Sequence, residues 1–174
     1  MDPMVEFNIP IQGLESGQHT FHFEVSDDFF KLFENALVEN GHFEVNVDLD
    51  KQSSMIVCDF EIHGTLFTSC DRCLENIHLP VYNQIQLLFK YAEEEMEEDE
   101  IVYIPRGLNI LNLGKYIYEM ISLSIPMVKQ YDCENDDEAP CNEDVLNRLS
   151  ASDDISNDND ENPLWDVLKG IKDN

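Results

Sequence analysis

Apolar and polar residues alternate along most of the first half of the chain. Val5, Phe7, Ile9 and Ile11 alternate with Glu6, Asn8 and Pro10; after a break at Gly13 and Ser16-Gly17, Phe21, Phe23 and Val25 alternate with His22 and Glu24. A two-residue period puts one face on a core and the other in water, so residues 5–11 and 20–25 predict two half-buried strands joined as a hairpin. Pro3 and Pro10 lack the amide donor of a central strand, which places the first strand at an edge. The period then changes. Ser26 reads as an N-cap, Asp27 and Asp28 suit the first turn of a helix, and Phe29, Leu32, Phe33, Ala36 and Leu37 recur at helical spacing up to Asn40-Gly41. These features predict a helix over 27–39.

The longest alternating run follows. Phe43, Val45, Val47 and Leu49 share one side, then Ile56, Cys58, Phe60, Ile62 and Leu66, then Ile77, Leu79, Val81, Ile85, Leu87 and Phe89. The intervening positions are mostly Asp, Glu, Asn, Gln and His, as in an antiparallel meander with one solvated face. This parity buries Cys58 as a small core residue and leaves His22, His63 and His78 facing water, with His78 near enough to Cys70 and Cys73 to stay a reserve ligand. Glu93 to Glu100 is almost wholly acidic and predicts a solvated loop. It lacks the Asp/Asn/Gly spacing of a calcium loop. Residues 101–104 predict a short strand ending at Pro105. A second helix over 112–124 follows, with Asn112 as N-cap, a stripe of Leu113, Tyr116, Ile117, Met120, Ile121 and Leu123, and Pro126 as its stop. Asn142 caps a short helix through Leu149. Residues 150–161 are a Ser/Asp/Asn linker too polar to offset the entropy of ordering. Residues 162–171 predict an amphipathic helix, which either docks on the domain with Trp165 as its anchor or enters a groove on a partner.

The sum is an α+β protein. It has one domain over 1–149, an acidic loop at 93–100, and an antiparallel sheet of five or six strands, strongly curved or barrel-like, packed by two main helices. Composition bears on partners rather than on fold. Ten basic residues against 37 acidic ones give the 174-residue chain a net charge of -27. Such a surface repels phosphate backbones, whose binding needs Lys and Arg to displace counterions, so strong direct nucleic-acid binding is not expected. A basic protein is the natural counterpart, and ribosomal proteins are the obvious cytoplasmic source; solubility alone is the other reading of the acid. No run approaches the ~18 apolar residues of a membrane span. Met1-Asp2-Pro3-Met4 has neither the basic nor the apolar region of a signal peptide, so the expectation is a cytoplasmic protein.

The chemistry-bearing residues are cysteines. Cys70-Asp71-Arg72-Cys73 falls where the meander should turn, and Cys133 and Cys141 flank an acidic loop farther along. A structural zinc ion takes four ligands in a tetrahedron, so Cys70, Cys73, Cys133 and Cys141 form one candidate zinc site. Reduced thiols without metal are a second reading. A thiol-redox pair is a third, although this CxxC does not open a helix, where a thiolate would be stabilised. No nucleophile elbow, phosphate-binding glycine loop or HExxH motif is present, and a catalytic role is not expected.

The order of these motifs resembles the YceD-like family of large ribosomal RNA subunit accumulation proteins. The resemblance rests on Ser69-Cys70-Asp71-Arg72-Cys73-Leu74-Glu75, the acidic stretch, Leu111-Asn112-Leu113 through Glu119 to Leu123-Ser124-Ile125-Pro126, a cysteine-containing turn, and Asn162-Pro163-Leu164-Trp165 with Leu168. It spans roughly residues 20–171. Many relatives carry several closely spaced cysteines after the Leu-x-x-Pro motif, whereas this chain carries two in an acidic loop. The resemblance implies a non-enzymatic role in producing or maintaining large-subunit ribosomal RNA. Together with the acidity, it gives the expectation of a ribosome-biogenesis factor that binds a basic ribosomal or assembly protein. The alternative is a small zinc-binding or thiol-redox protein whose CxxC carries the chemistry.

Overall fold

The computed structural model describes residues 3–34, 36–93, 96–98, 101–133, 136 and 139–155. In chain order the elements are β1 (Asn8–Ile9), β2 (Gly17–Val25), α1 (Asp27–Phe30), β3 (Gly41–Lys51), β4 (Met55–Ser69), β5 (Asn76–Ala92), β6 (Met96–Glu98), β7 (Ile101–Pro105), β8 (Leu111–Asn112), α2 (Gly114–Ser124) and α3 (Glu143–Ile155). Six strands form an open sheet in the order β2-β3-β4-β5-β7-β6, and β1 pairs with β8 in a separate two-stranded ladder. The α+β expectation holds, with two corrections. The sheet does not close into a barrel among the described residues, and its strands are not all antiparallel.

The alternating pattern meets its expectation in β3, β4 and β5, the longest strands. Val45, Val47, Leu49, Ile56, Cys58, Ile62 and Phe89 are fully buried on one face, and α2 covers that face with Ile117 and Ile121. The registers Val45↔Ile62, Val47↔Phe60 and Leu49↔Cys58 place the apolar sets side by side. A slip of one residue would turn every one of them to water, so burial of one face fixes the pairing.

The parallel pair, β5 with β7 in register Leu88↔Ile101, comes from a short excursion. After β5 the chain overshoots one lane, returns as β6, and β7 fills the lane between them, with Met96↔Tyr103 and Glu98↔Ile101. Part of the acidic stretch expected as a loop therefore contributes backbone to an edge strand.

The N-terminal segment departs from the predicted hairpin. Residues Pro3–Phe7 form a 3-10 turn and only Asn8–Ile9 are extended, paired with Leu111–Asn112 rather than with β2. The inward face was legible in part: Phe7, Ile9 and Ile11 are buried, whereas Val5, expected on the same side, is 55% exposed. The partner was not. Pro3 and Pro10 remove two ladder donors, while the Asn112 side chain donates to the Met4 carbonyl and the Asn8 Oδ1, each at 2.7 Å. Leu113 N adds a bond to the Phe7 carbonyl at 2.9 Å.

The helix predicted over 27–39 is one turn, α1. Of its expected stripe Phe29 is buried, but Leu32 and Leu37 are exposed, Leu37 at 80%, while Phe30 and Val38 from outside the stripe are buried. Adjacent Phe29 and Phe30 cannot both sit at the centre of one helical stripe. Burying both rings outweighs the small gain from continuing a short helix. Phe33 stacks on Tyr118 with centroids 4.0 Å apart, and Leu37 N donates to the Tyr118 hydroxyl, so the segment is held against α2 as an irregular strap. Gly41, expected as a left-handed stop, opens β3; its amide donates to Asp27 Oδ1 at 2.8 Å.

Asn112 precedes α2 as predicted, although its Oδ1 accepts from Gly114 N at 2.9 Å and the cap position is Leu113. Asn142 caps α3 through its Oδ1 and Val145 N at 3.3 Å, and the helix runs to Ile155 rather than Leu149. The rest of the predicted linker and the 162–171 helix lie outside the described residues.

Candidate cysteine centre and acidic sheet face

Ser69 ends β4 and Asn76 begins β5, and the turn between them carries Cys70 and Cys73. Two backbone bonds close it: Cys70 N to the Glu75 carbonyl at 2.8 Å and Leu74 N to the Cys70 carbonyl at 2.9 Å. Leu74 adopts φ 61°, a left-handed conformation that costs a residue with a Cβ about 1–2 kcal/mol. Its side chain is 74% exposed and repays none of that by packing, so closure of the turn holds it there. Both thiols point inward at 1% exposure and form a small cluster with Ile77, against which Tyr131, Cys141 and Leu146 pack.

The segment after α2 is laced to this turn. Asp71 N donates to the Lys129 carbonyl at 2.7 Å, and Lys129 N donates to Asp71 Oδ2 at 2.6 Å. Burial pushes the Cys70 thiol up, but backbone hydrogen bonds from Cys73, Tyr131 and Arg72, with the Cys73 thiol, outweigh it and bring Cys70 below the ordinary thiol range. Cys133 and Cys141 are bonded to each other, with Cα atoms 6.0 Å apart. The four predicted cysteines therefore gather at one end of the sheet, as a buried dithiol beside a disulfide. In this form, among the described residues, no group of three or more His, Cys, Asp or Glu is placed to hold a metal ion. The ties through Asp71, Lys129 and Tyr131 had no signal in the sequence beyond the aspartate inside the CxxC.

Cys58 behaves as a core residue, its thiol pushed up to about 12 by burial and by the adjacent Asp59 carboxylate. His78 does not join the cysteines. It lies tilted against Phe67 on the opposite face, with centroids 4.6 Å apart.

That opposite face is the second feature. Its outward residues from β2 to β5 include Glu24, Glu44, Asp48, Asp59 and Glu61, and strand register sets like charges against each other: Glu24 faces Glu44 and Asp48 faces Asp59. Directly opposed like charges destabilise a sheet. Partial relief comes from neutral donors: Thr20 Oγ1 to Asp48 at 2.6 Å, Gln86 Nε2 to Asp59 at 2.7 Å, and Gln84 Nε2 to Glu61 at 3.1 Å. Beyond the carboxylates the same face carries rings. Tyr82, 58% exposed, lies against His63, and Phe67 is 39% exposed. Alternation identified each strand's outer residues, but only register could show which carboxylates oppose each other.

Among the described residues, no helix is long and apolar enough to cross a membrane. No curated protein and no solved structure matches the chain. A family model described as large ribosomal RNA subunit accumulation protein YceD matches residues 58–172, from near the start of β4 through α3 and beyond, and includes all four cysteines of the centre. The CxxC turn and the region after it are thus the part of the fold that the match covers, and by that match the chain belongs to the YceD family of large ribosomal RNA subunit accumulation proteins.

Proposed function

We propose that this protein is a non-enzymatic ribosome-biogenesis factor that supports large-subunit ribosomal RNA by holding a basic ribosomal or assembly protein on the outer face of its sheet. The observation that carries this reading is the in-register acid, Glu24 against Glu44 and Asp48 against Asp59. A sheet that only needed solubility would separate these charges and keep the stability they cost. Opposed carboxylates bordered by exposed Tyr82 and Phe67 suit a partner with clustered Lys and Arg and an apolar anchor. Bare RNA is disfavoured by the same charges, so its accumulation would follow indirectly from the protein partner.

The test titrates the purified full chain against purified basic large-subunit proteins, and separately against naked large-subunit RNA, at low and high salt. The expected result is binding to a basic protein that weakens as salt screens the face, about tenfold or more loss on the Glu44→Lys/Asp48→Lys double substitution, and little affinity for the RNA. Binding that ignores both salt and charge reversal, or tight binding to RNA alone, would overturn the proposal.

A further inference from the structure

We propose that Cys70, Cys73, Cys133 and Cys141 form a thiol-gated zinc centre: reduction of the Cys133–Cys141 bond frees two thiols beside the buried Cys70/Cys73 pair, and the four together take one Zn2+. The convergence of the sulfurs is the first ground. Cys141 packs on the cluster that contains Cys70 and Cys73, and Cys133 is bonded to Cys141. The second is the way the two loops are held. Two Asp71–Lys129 bonds, one between backbones and one from the Lys129 amide to the Asp71 carboxylate, fix the later loop to the CxxC turn independently of any cysteine contact. The local architecture therefore does not depend on the disulfide alone, and the later pair can open without leaving the site.

The third ground is the contrast in access. Cys70 and Cys73 are each 1% exposed, whereas Cys133 and Cys141 are only half-buried. Thiol–disulfide exchange with another protein needs a sulfur that an external thiolate can reach, so the CxxC is poorly placed to be an exchanging pair. A metal ion requires no such approach to the buried pair once the outer pair is open. Four cysteine sulfurs are a common ligand set of structural zinc, and thiolates select it over harder cations. Arg72 and Lys129, two of the chain's ten basic residues, fall in the two loops, beside what would become a dianionic centre.

A cellular dithiol reductant attacks the Cys133–Cys141 bond as thiolate, forms a mixed disulfide, and resolves it with its second thiol. The reductant leaves oxidised, and two electrons and two protons reside on Cys133 and Cys141 as thiols. Entry of Zn2+ then forms four Zn–S bonds and releases four protons to solvent. A cellular disulfide oxidant reverses the exchange: it takes two electrons from the Cys133 and Cys141 thiolates and two protons from solvent, leaves as the dithiol, and the re-formed S–S bond removes two ligands and releases the ion.

The experiment uses the full chain purified under reducing conditions without added zinc. Elemental analysis is expected to give close to one zinc per chain, and Co2+ in its place is expected to give the visible bands of tetrahedral thiolate coordination. Cys70→Ser and Cys141→Ser should each lower the zinc content about tenfold, and Cys58→Ser should leave it unchanged. Should a serine variant fail to fold, alkylation of the wild-type chain decides. The four cysteines should be protected with Zn2+ and labelled after chelation, and forming the Cys133–Cys141 disulfide should expel the metal. A reduced chain that takes up neither Zn2+ nor Co2+, zinc that survives folded Cys70→Ser or the intact disulfide, or a reversible Cys70–Cys73 disulfide in place of metal would each overturn the proposal. Zinc binding and capture of a basic protein are separate readouts, so failure of one reading leaves the other standing.

Discussion

Alanine at Gly64 would put a methyl group where β3 already stands. Gly64 faces Phe43 across the β3–β4 ladder, and a Cβ there would overlap the His42 carbonyl oxygen and Cδ1 of the Phe43 ring, with Cγ at 2.7 Å. Carbon atoms in contact sit about 3.5–4.0 Å apart, so the ring would have to retreat by roughly 1 Å. It has little room. Phe43 is fully buried, edge-on to Phe30 at 5.8 Å, and its other side lies over Gly41, whose own Cβ would come within 2.6 Å of the ring. The carbonyl belongs to a paired strand and cannot shift without stretching the ladder.

Overpacking of this kind costs about 1–3 kcal/mol or somewhat more, and the backbone overlap places Gly64→Ala at the upper end. Reduced freedom of the unfolded chain returns about 0.4–1 kcal/mol. The net expectation is a loss of about 2–3 kcal/mol, a large part of the 5–15 kcal/mol typical of a domain, with Tm lower by about 5–10 °C. Urea titration and thermal melts followed by circular dichroism measure it. Gly13→Ala, where a Cβ meets nothing within 4 Å, is the control and should stay within about 0.5 kcal/mol of wild type. Phe43→Leu should cost less in the Gly64→Ala background than alone, a coupling of about 1 kcal/mol. A Gly64→Ala protein as stable as the parent would refute the reasoning that this glycine exists to admit the Phe43 ring.

The thiol of Cys58, pushed up to about 12, should stay unalkylated in the native state at pH 8 and react only on unfolding, as read by peptide mapping. Because its folded value is raised above the ordinary 9.0, its contribution is complete below pH 9 and is lost as pH rises toward 12; Cys58→Ala should flatten that alkaline decline, measured by urea titration across the range. Glu44→Gln removes one of two opposed carboxylates and should stabilise the sheet by about 0.2–1 kcal/mol, more at low salt than at high; an unchanged or lowered urea midpoint would contradict the pairing. Asn112→Ala removes bonds to Met4, Asn8 and Gly114 and should cost about 2–3 kcal/mol, with faster hydrogen exchange at the Leu113 amide than at amides of β3.

Period-two alternation in β3, β4 and β5 determined which residues face the core, because a strand with one buried face tolerates little else. It placed Cys58 in the core and the three histidines in water, and it set the CxxC at the turn between two long strands. The ordered motifs from Ser69 onward were enough to suggest the family. Tertiary structure decided what periodicity cannot carry. Helical spacing over 27–39 was overruled by the burial of neighbouring Phe29 and Phe30, and the 5–11 strand paired with Leu111–Asn112 because Asn112 supplied the bonds that the prolines withheld. Cys133 and Cys141, distant in sequence from the CxxC, reached it through Asp71 and Lys129, residues that alternation does not single out. The opposition of Glu24 to Glu44 and of Asp48 to Asp59 likewise depends on register between strands. Alternation is a property of one strand with its solvent, whereas register and loop convergence belong to pairs of segments and are set by which pairing buries the most apolar surface while leaving no backbone donor unpaired.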